Sequence, residues 1–201
     1  MHCFEHTLCA LSCPSGQRDK GENMKQEIAD LWTEALRSGD YEQATGTLLK
    51  TDSGSGDTIG HCCLGVLCEI AIKQGDYVPG NMYFTTTRLH QELAGGIFED
   101  VIIDEAHDPV SVHPFKGNVD LGKLEGLIER VGPEHIPYVS LAATVNMAGG
   151  QPISLANMRA VRELATRYGI RVILDAARAM ENAYFIQQRE SGYANTSVAS
   201  I

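Results

Sequence analysis

The sequence predicts an α/β fold built on a parallel-rich sheet and preceded by a small helical segment. Three observations carry that reading. After Gly75, apolar runs alternate with amphipathic stretches in the order strand, helix, strand, helix, strand, the grammar of a parallel sheet with crossover helices. Glycines at 95, 132 and 169 close the amphipathic stretches, where helices commonly stop. Two apolar runs lead into polar residues, Asn146 and Asp175, at the strand ends where α/β proteins bind ligands.

Each element follows from its own pattern. Residues 1–23 read as a disordered N-terminus, with Pro14, Ser15 and Gly16 ahead of a charged run. Residues 24–69 read as a small helical segment. Ile28, Leu31, Trp32, Ala35 and Leu36 recur at helical spacing before Gly39; a loop over 51–60 separates them from a second helix over 62–75. Residues 70–201 hold the alternating part. The stretch 82–96 starts extended and becomes helical, and Val101, Ile102 and Ile103 read as a buried strand. Residues 120–132 form a helix with Asp120 as N-cap, and 136–146 a strand. A further helix over 154–169 is capped by Ser154, with Leu155, Met158, Val161, Leu164 and Ala165 on one face. Residues 171–175 form the next buried strand. No internal repeat is present.

Composition narrows the function. The chain has 201 residues, 43% of them hydrophobic, and a formal net charge of -10. That balance excludes a nucleic-acid surface, which needs a basic face. Residues 136–158 contain no charge, yet include Pro137, Asn146, Gly149, Gly150, Gln151, Pro152 and Asn157. They read as strand, loop and helix start rather than a membrane helix. The start lacks the basic region of a secretory signal. A soluble, cytoplasmic protein with no membrane partner is expected.

All six cysteines fall in the first 68 residues, at positions 3, 9, 13, 62, 63 and 68. They lack the paired knuckles of a strong zinc site, and those near Val66 and Leu67 fit a buried helix face. The loop holding His107 and His113 reads as solvated. No metal site is expected.

The chemistry gathers at Asp175. A strand ending on a carboxylate, with Arg178 three residues on, is either a structural ion pair with a helix N-cap or an acceptor for a cofactor nitrogen. Pyridoxal 5′-phosphate is a cofactor of the second kind, being an electron sink while its ring nitrogen stays protonated.

The segments "GNMYFTTTRLHQE", "ATVNMAGGQPISLANMRAVREL" and "LDAARAMENAYFIQQRE" resemble the tryptophanase and tyrosine phenol-lyase family of aromatic amino acid β-eliminating lyases, over about residues 70–201. The resemblance implies part of the large domain of the pyridoxal-phosphate-dependent aspartate-aminotransferase fold. It also implies lyase activity toward tryptophan or tyrosine, releasing indole or phenol with pyruvate and ammonia. By the same resemblance Phe84 stacks on the cofactor ring, Asn146 meets its phenolic oxygen, Asp175 its ring nitrogen, and Arg178 the phenolic side. Thr85 lies near the substrate ring. The plain alternatives are core for Phe84, a solvent-facing residue for Thr85 and a turn former for Asn146.

The family's Schiff-base lysine, its phosphate-binding Gln-Gly-Arg turn and its substrate-carboxylate arginine have no counterpart in the matched stretch. The expectation is a fragment or fusion that does not catalyse elimination alone and binds the cofactor weakly. Residues 24–69 are similar to small uncharacterised phage and bacterial proteins. The rival reading is therefore a small helical interaction or thiol/zinc module with a passenger lyase segment. A partial sheet exposes apolar surface, so association with itself or with a complementary chain is expected.

Overall fold

The structure is a computed structural model that describes residues 30–40, 49–51, 58–61 and 63–201. The disorder expected for 1–23 and the cysteines at 3, 9, 13 and 62 lie outside these residues. The chain divides into two compact units. Among the described residues one holds 78–84 and 99–201, the other the residues up to 77 together with 85–98.

In the second unit, residues 30–38 form helix α1, followed by Gly39 at φ 81°, the conformation that lets glycine close a helix. β1 (Leu49–Thr51) pairs antiparallel with β2 (Thr58–His61), so part of the expected 51–60 loop is strand. Helix α2 (Cys63–Ala71) is shorter than the 62–75 expected. It buries Val66, Leu67, Cys68 and Ala71 and packs on α3 (Thr85–Leu93). Cys68 is a buried thiol on an apolar face, the hydrophobe reading of that residue. After α3 the chain turns through Gly95 at φ 89°, where a Cβ would lie 2.4 Å from the Gln74 side chain.

The four-stranded sheet runs in the order β4-β3-β5-β6, with β3 (Tyr77–Gly80), β4 (Ile97–Asp100), β5 (Tyr138–Ala142) and β6 (Arg171–Asp175). β3 and β6 are both parallel to β5. The register places Gly80 opposite Ser140, and Ala142 opposite Asp175. The strand expected at 101–103 is displaced to 97–100. Val101 and Ile102 are nonetheless buried, and Ile102 makes a single bridge to Val119. Apolar character there reports burial in a connecting segment, which the hydrophobic run alone does not separate from a strand.

Helix α4 (Leu121–Val131) buries Leu124, Leu127 and Ile128, and α5 (Leu155–Arg167) buries Val161, Leu164 and Ala165. The two helices pack together, and α5 covers β6. Their starts are capped as the sequence indicates. Asp120 Oδ1 accepts from Gly122 N at 2.8 Å and Lys123 N at 3.1 Å, and Ser154 Oγ accepts from Asn157 N at 3.1 Å. Glu190 adds two further acceptors at the α5 start, for Leu155 N and Ala156 N, each at 2.8 Å. Such bonds satisfy amides that the helix itself leaves unpaired.

Three asparagines hold the connections. Asn81, Asn157 and Asn182 each exchange two hydrogen bonds with the backbone N–H and C=O of one residue: Ala142, Val119 and Ile153, respectively. A side-chain amide carries the same donor and acceptor as a peptide group, so each asparagine stands in for a strand where no strand runs. One reading needs correction. β6 is not buried: Val172 and Ile173 are half-buried and Leu174 is 38% exposed. Its apolar run reflects one covered face, and among the described residues it pairs with β5 alone. Helix α6 (Ala179–Arg189) follows it. No described helix is long and apolar enough to cross a membrane.

Candidate cofactor-binding site

The parallel strands β3, β5 and β6 end on one edge of the sheet, and the polar residues sit there. Asp175 closes β6. Its backbone O accepts from Ala143 N at 3.1 Å, and Arg178 N donates to Ala143 O at 3.1 Å. These two bonds tie the turn after β6 to the end of β5, so Asp175 and Arg178 are fixed against the residue just past Ala142. The Asp175 side chain turns back on its own loop, with Oδ1 accepting from Ala177 N at 3.0 Å. Among the described residues Oδ2 has no hydrogen-bond partner.

Asn146 lies in a one-turn 3-10 helix (Asn146–Ala148) rather than directly at the strand end. The loop that presents it is closed by Val145 N to Gln151 O at 2.8 Å and Gly150 N to Val145 O at 2.9 Å. Gly149 and Gly150 adopt φ of 79° and 75°, which L side chains rarely do. The turn-former reading of Asn146 is thus correct for the backbone, and its side chain has a further task. Asn146 Oδ1 accepts a hydrogen bond from the Arg178 guanidinium, which leaves the amide Nδ2 as a donor. The ion-pair reading of Asp175 with Arg178 does not hold among the described contacts: Arg178 turns to Asn146 and Asp175 to Ala177.

Phe84 follows β3 and is 38% exposed, so the core reading does not describe it. Thr85 is the first residue of α3, is exposed, and belongs to the other unit. Four of the five expected residues therefore come from consecutive strand ends of one unit.

Asn81 escapes a reading of the sequence. It is fully buried one residue after β3, and its Nδ2 donates to Gly117 O at 2.9 Å and Ala142 O at 3.1 Å, while Oδ1 accepts from Ala142 N at 2.8 Å. It locks the end of β3 to the end of β5, one residue before Ala143. Beside it Met82 takes a φ of 63° and donates its N–H to Asp100 Oδ1 at 3.1 Å. The one local hint is an asparagine after Pro79-Gly80, which reads as an ordinary turn.

The unit thus carries a carboxylate, an amide and a guanidinium at adjoining strand ends, groups whose chemistry suits a polar ring with both a protonated nitrogen and an anionic oxygen. The donor set fits pyridoxal 5′-phosphate: Asp175 Oδ2 can accept from a pyridinium, and Asn146 Nδ2 with Arg178 can donate to a phenolate. Comparison with known proteins defines the particular class. The β-eliminating lyase profile matches residues 55–199. The chain is 73% identical over 136 residues to a tyrosine phenol-lyase of Nostoc punctiforme, covering 68% of this chain and 29% of that one. Against the tyrosine phenol-lyases of Symbiobacterium thermophilum and Clostridium tetani, identity is 64% and 63%, with 68% of this chain and 30% of each relative covered. The chain belongs to the β-eliminating lyase family. Members of that family depend on pyridoxal 5′-phosphate, and the sheet is part of an aspartate-aminotransferase-type domain. The chain spans less than a third of the length of these curated relatives.

Proposed function

We propose that this chain supplies the ring-binding wall of a pyridoxal-phosphate lyase acting on an aromatic amino acid, with tyrosine favoured over tryptophan. The observation that carries the proposal is the grouping of Asp175, Asn146 and Arg178 at adjoining strand ends, within a stretch 73% identical to a tyrosine phenol-lyase. The tyrosine preference is supported by what those relatives are named. The products in that case are phenol, pyruvate and ammonia.

When bound, the cofactor supplies an electron sink for the substrate's α-carbon. The chain's own residues hold and tune it. Asp175 Oδ2 accepts from the ring nitrogen and keeps its proton in place, because a carboxylate favours the charged partner. Asn146 Nδ2 and the Arg178 guanidinium donate to the phenolic oxygen and stabilise its negative charge. Phe84 covers one ring face and excludes water from it.

The amine that would bond covalently to the cofactor is not offered by the described lysines of this unit. Lys116 Nζ donates to Asp108 O at 2.7 Å, and Lys123 Nζ to Ile102 O at 2.8 Å and Asp104 Oδ1 at 2.5 Å. We therefore propose that the 201-residue chain binds the cofactor weakly and does not carry out elimination by itself. Borohydride reduction in the presence of cofactor, followed by peptide mapping, tests this. Scattered surface labelling agrees with the proposal; stoichiometric labelling of one lysine contradicts it.

A further inference from the structure

The side-chain amide of Asn81 is fully buried and fully engaged. Its two Nδ2 hydrogens go to Gly117 O and Ala142 O, and Oδ1 takes the Ala142 N–H. These bonds open two branches, and each ends at a residue of the proposed cofactor site. The first runs through Ala142 to its neighbour Ala143, which donates to Asp175 O and accepts from Arg178 N, each at 3.1 Å. The second runs through Gly117, whose N–H donates to Pro152 O at 2.9 Å. Beside Pro152, Gln151 O accepts at 2.8 Å from the N–H of Val145, the residue before Asn146. Gly117 leaves this branch no slack, since a Cβ there would lie 2.8 Å from both Gln151 O and Pro152 O.

A third connection is the chain itself. Asn81 stands three residues ahead of Phe84. The turn between them is fixed at Met82, which sits at φ 63° with its N–H bonded to Asp100 Oδ1 at 3.1 Å. An amide suits the hub because it donates twice and accepts at once; an aspartate of the same shape has no hydrogens to give.

We infer that Asn81 is a positioning residue of the cofactor site: it holds Phe84, Asp175 and the Asn146–Arg178 pair at fixed separations, acting through their backbones. The inference deepens the cofactor-site reading and rests on it. A ring held on one face and at two edges tolerates little movement of any one contact, and a misplacement of about 1 Å can cost on the order of a hundredfold at a reacting centre. Groups that bind with such precision need their own support to be rigid.

Titration of the full 201-residue chain with pyridoxal 5′-phosphate across a range of pH tests it, with Asn81→Ala set beside Asn157→Ala. Asn157 makes the same two-bond clamp, to Val119, so an effect of lost stability alone shows in both variants. Asn81→Ala, checked as folded by circular dichroism, is expected to bind about tenfold or more weakly than wild type. The pH at which the bound cofactor's absorption changes also moves toward that of free cofactor, because the groups that tune its charges are no longer held. Asn157→Ala keeps the wild-type affinity and pH profile. Equal effects in the two variants, or none in Asn81→Ala, overturn the inference. A second measurement needs no variant: in wild type, hydrogen exchange followed by NMR slows together at the Asn81 side-chain amide and the Gly117 and Ala143 N–H groups when cofactor binds. Exchange there that ignores bound cofactor also overturns it. A wild type that binds no cofactor overturns the site reading and this inference with it, whereas saturable binding indifferent to Asn81→Ala overturns this inference alone.

Discussion

At the scale of single residues, the site depends on how polar groups are shared. Arg178 donates to Asn146 rather than to Asp175, which leaves Asp175 Oδ2 without a hydrogen-bond partner among the described residues and available to the ring nitrogen in the proposed site. Asp175→Asn removes the charge but keeps the shape. It is expected to weaken cofactor binding about tenfold or more, the difference between a charged and a neutral hydrogen bond, in a fluorescence titration. Unchanged affinity would remove Asp175 from the site. The placement of Asp175 and Asn146 at or just after strand ends was legible because each follows an apolar run. Asn81 was not, because its partners lie 36 and 61 residues away, a distance over which spacing carries no signal. Asn81→Ala removes the buried bond to Gly117 O and the part-buried pair to Ala142 and should cost about 2–4 kcal/mol in urea unfolding. A loss under about 0.5 kcal/mol, the range of ordinary surface changes, would show that water replaces the clamp.

At the scale of elements, capping signals read best. Asp120 and Ser154 begin α4 and α5 as their positions in the sequence indicate, and glycines follow α3, α4 and α5. Caps are local, so the sequence states them directly. Ser154→Ala should cost about 1 kcal/mol, measured by thermal unfolding. Strand burial reads worst, since β6 is half-open and the apolar 101–103 run is not a strand. Burial depends on which neighbours the topology supplies, and an apolar run is silent on that.

The ion pair of Asp104 with Lys123, at the start of α4, gives a pH signature. The hydrogen bond and charge of Lys123 hold the Asp104 carboxyl below its usual range, and Asp104 raises the Lys123 ammonium. The Asp104 contribution is fully present above the unfolded carboxyl's range and is lost as pH falls through its lowered folded value. The Lys123 contribution runs the other way: present below the ordinary lysine range, and lost as pH rises through its raised value. Asp104→Asn should therefore unfold at lower denaturant than wild type at pH 7, with the gap closing below about pH 3. A gap that persists in acid would point to a packing effect instead.

At the scale of the whole molecule, the sequence conveyed the α/β class and the family. The second unit was less legible. Its helices α1 and α2 follow from apolar spacing, but the β1–β2 pair takes in both ends of the stretch read as loop, because pairing of such short strands is held by the backbone. The cysteines at 3, 9, 13 and 62 fall outside the described residues, and the buried thiol of Cys68 has the environment of a core residue.

The central claim is that the strand ends of this chain form one wall of a pyridoxal-phosphate site. An absorbance titration of the purified 201-residue chain with pyridoxal 5′-phosphate, run beside Asp175→Ala, tests it most directly. Saturable, weak binding to the wild type that disappears in the variant is the predicted result. Binding that is absent from both, or equal in both, would contradict the claim.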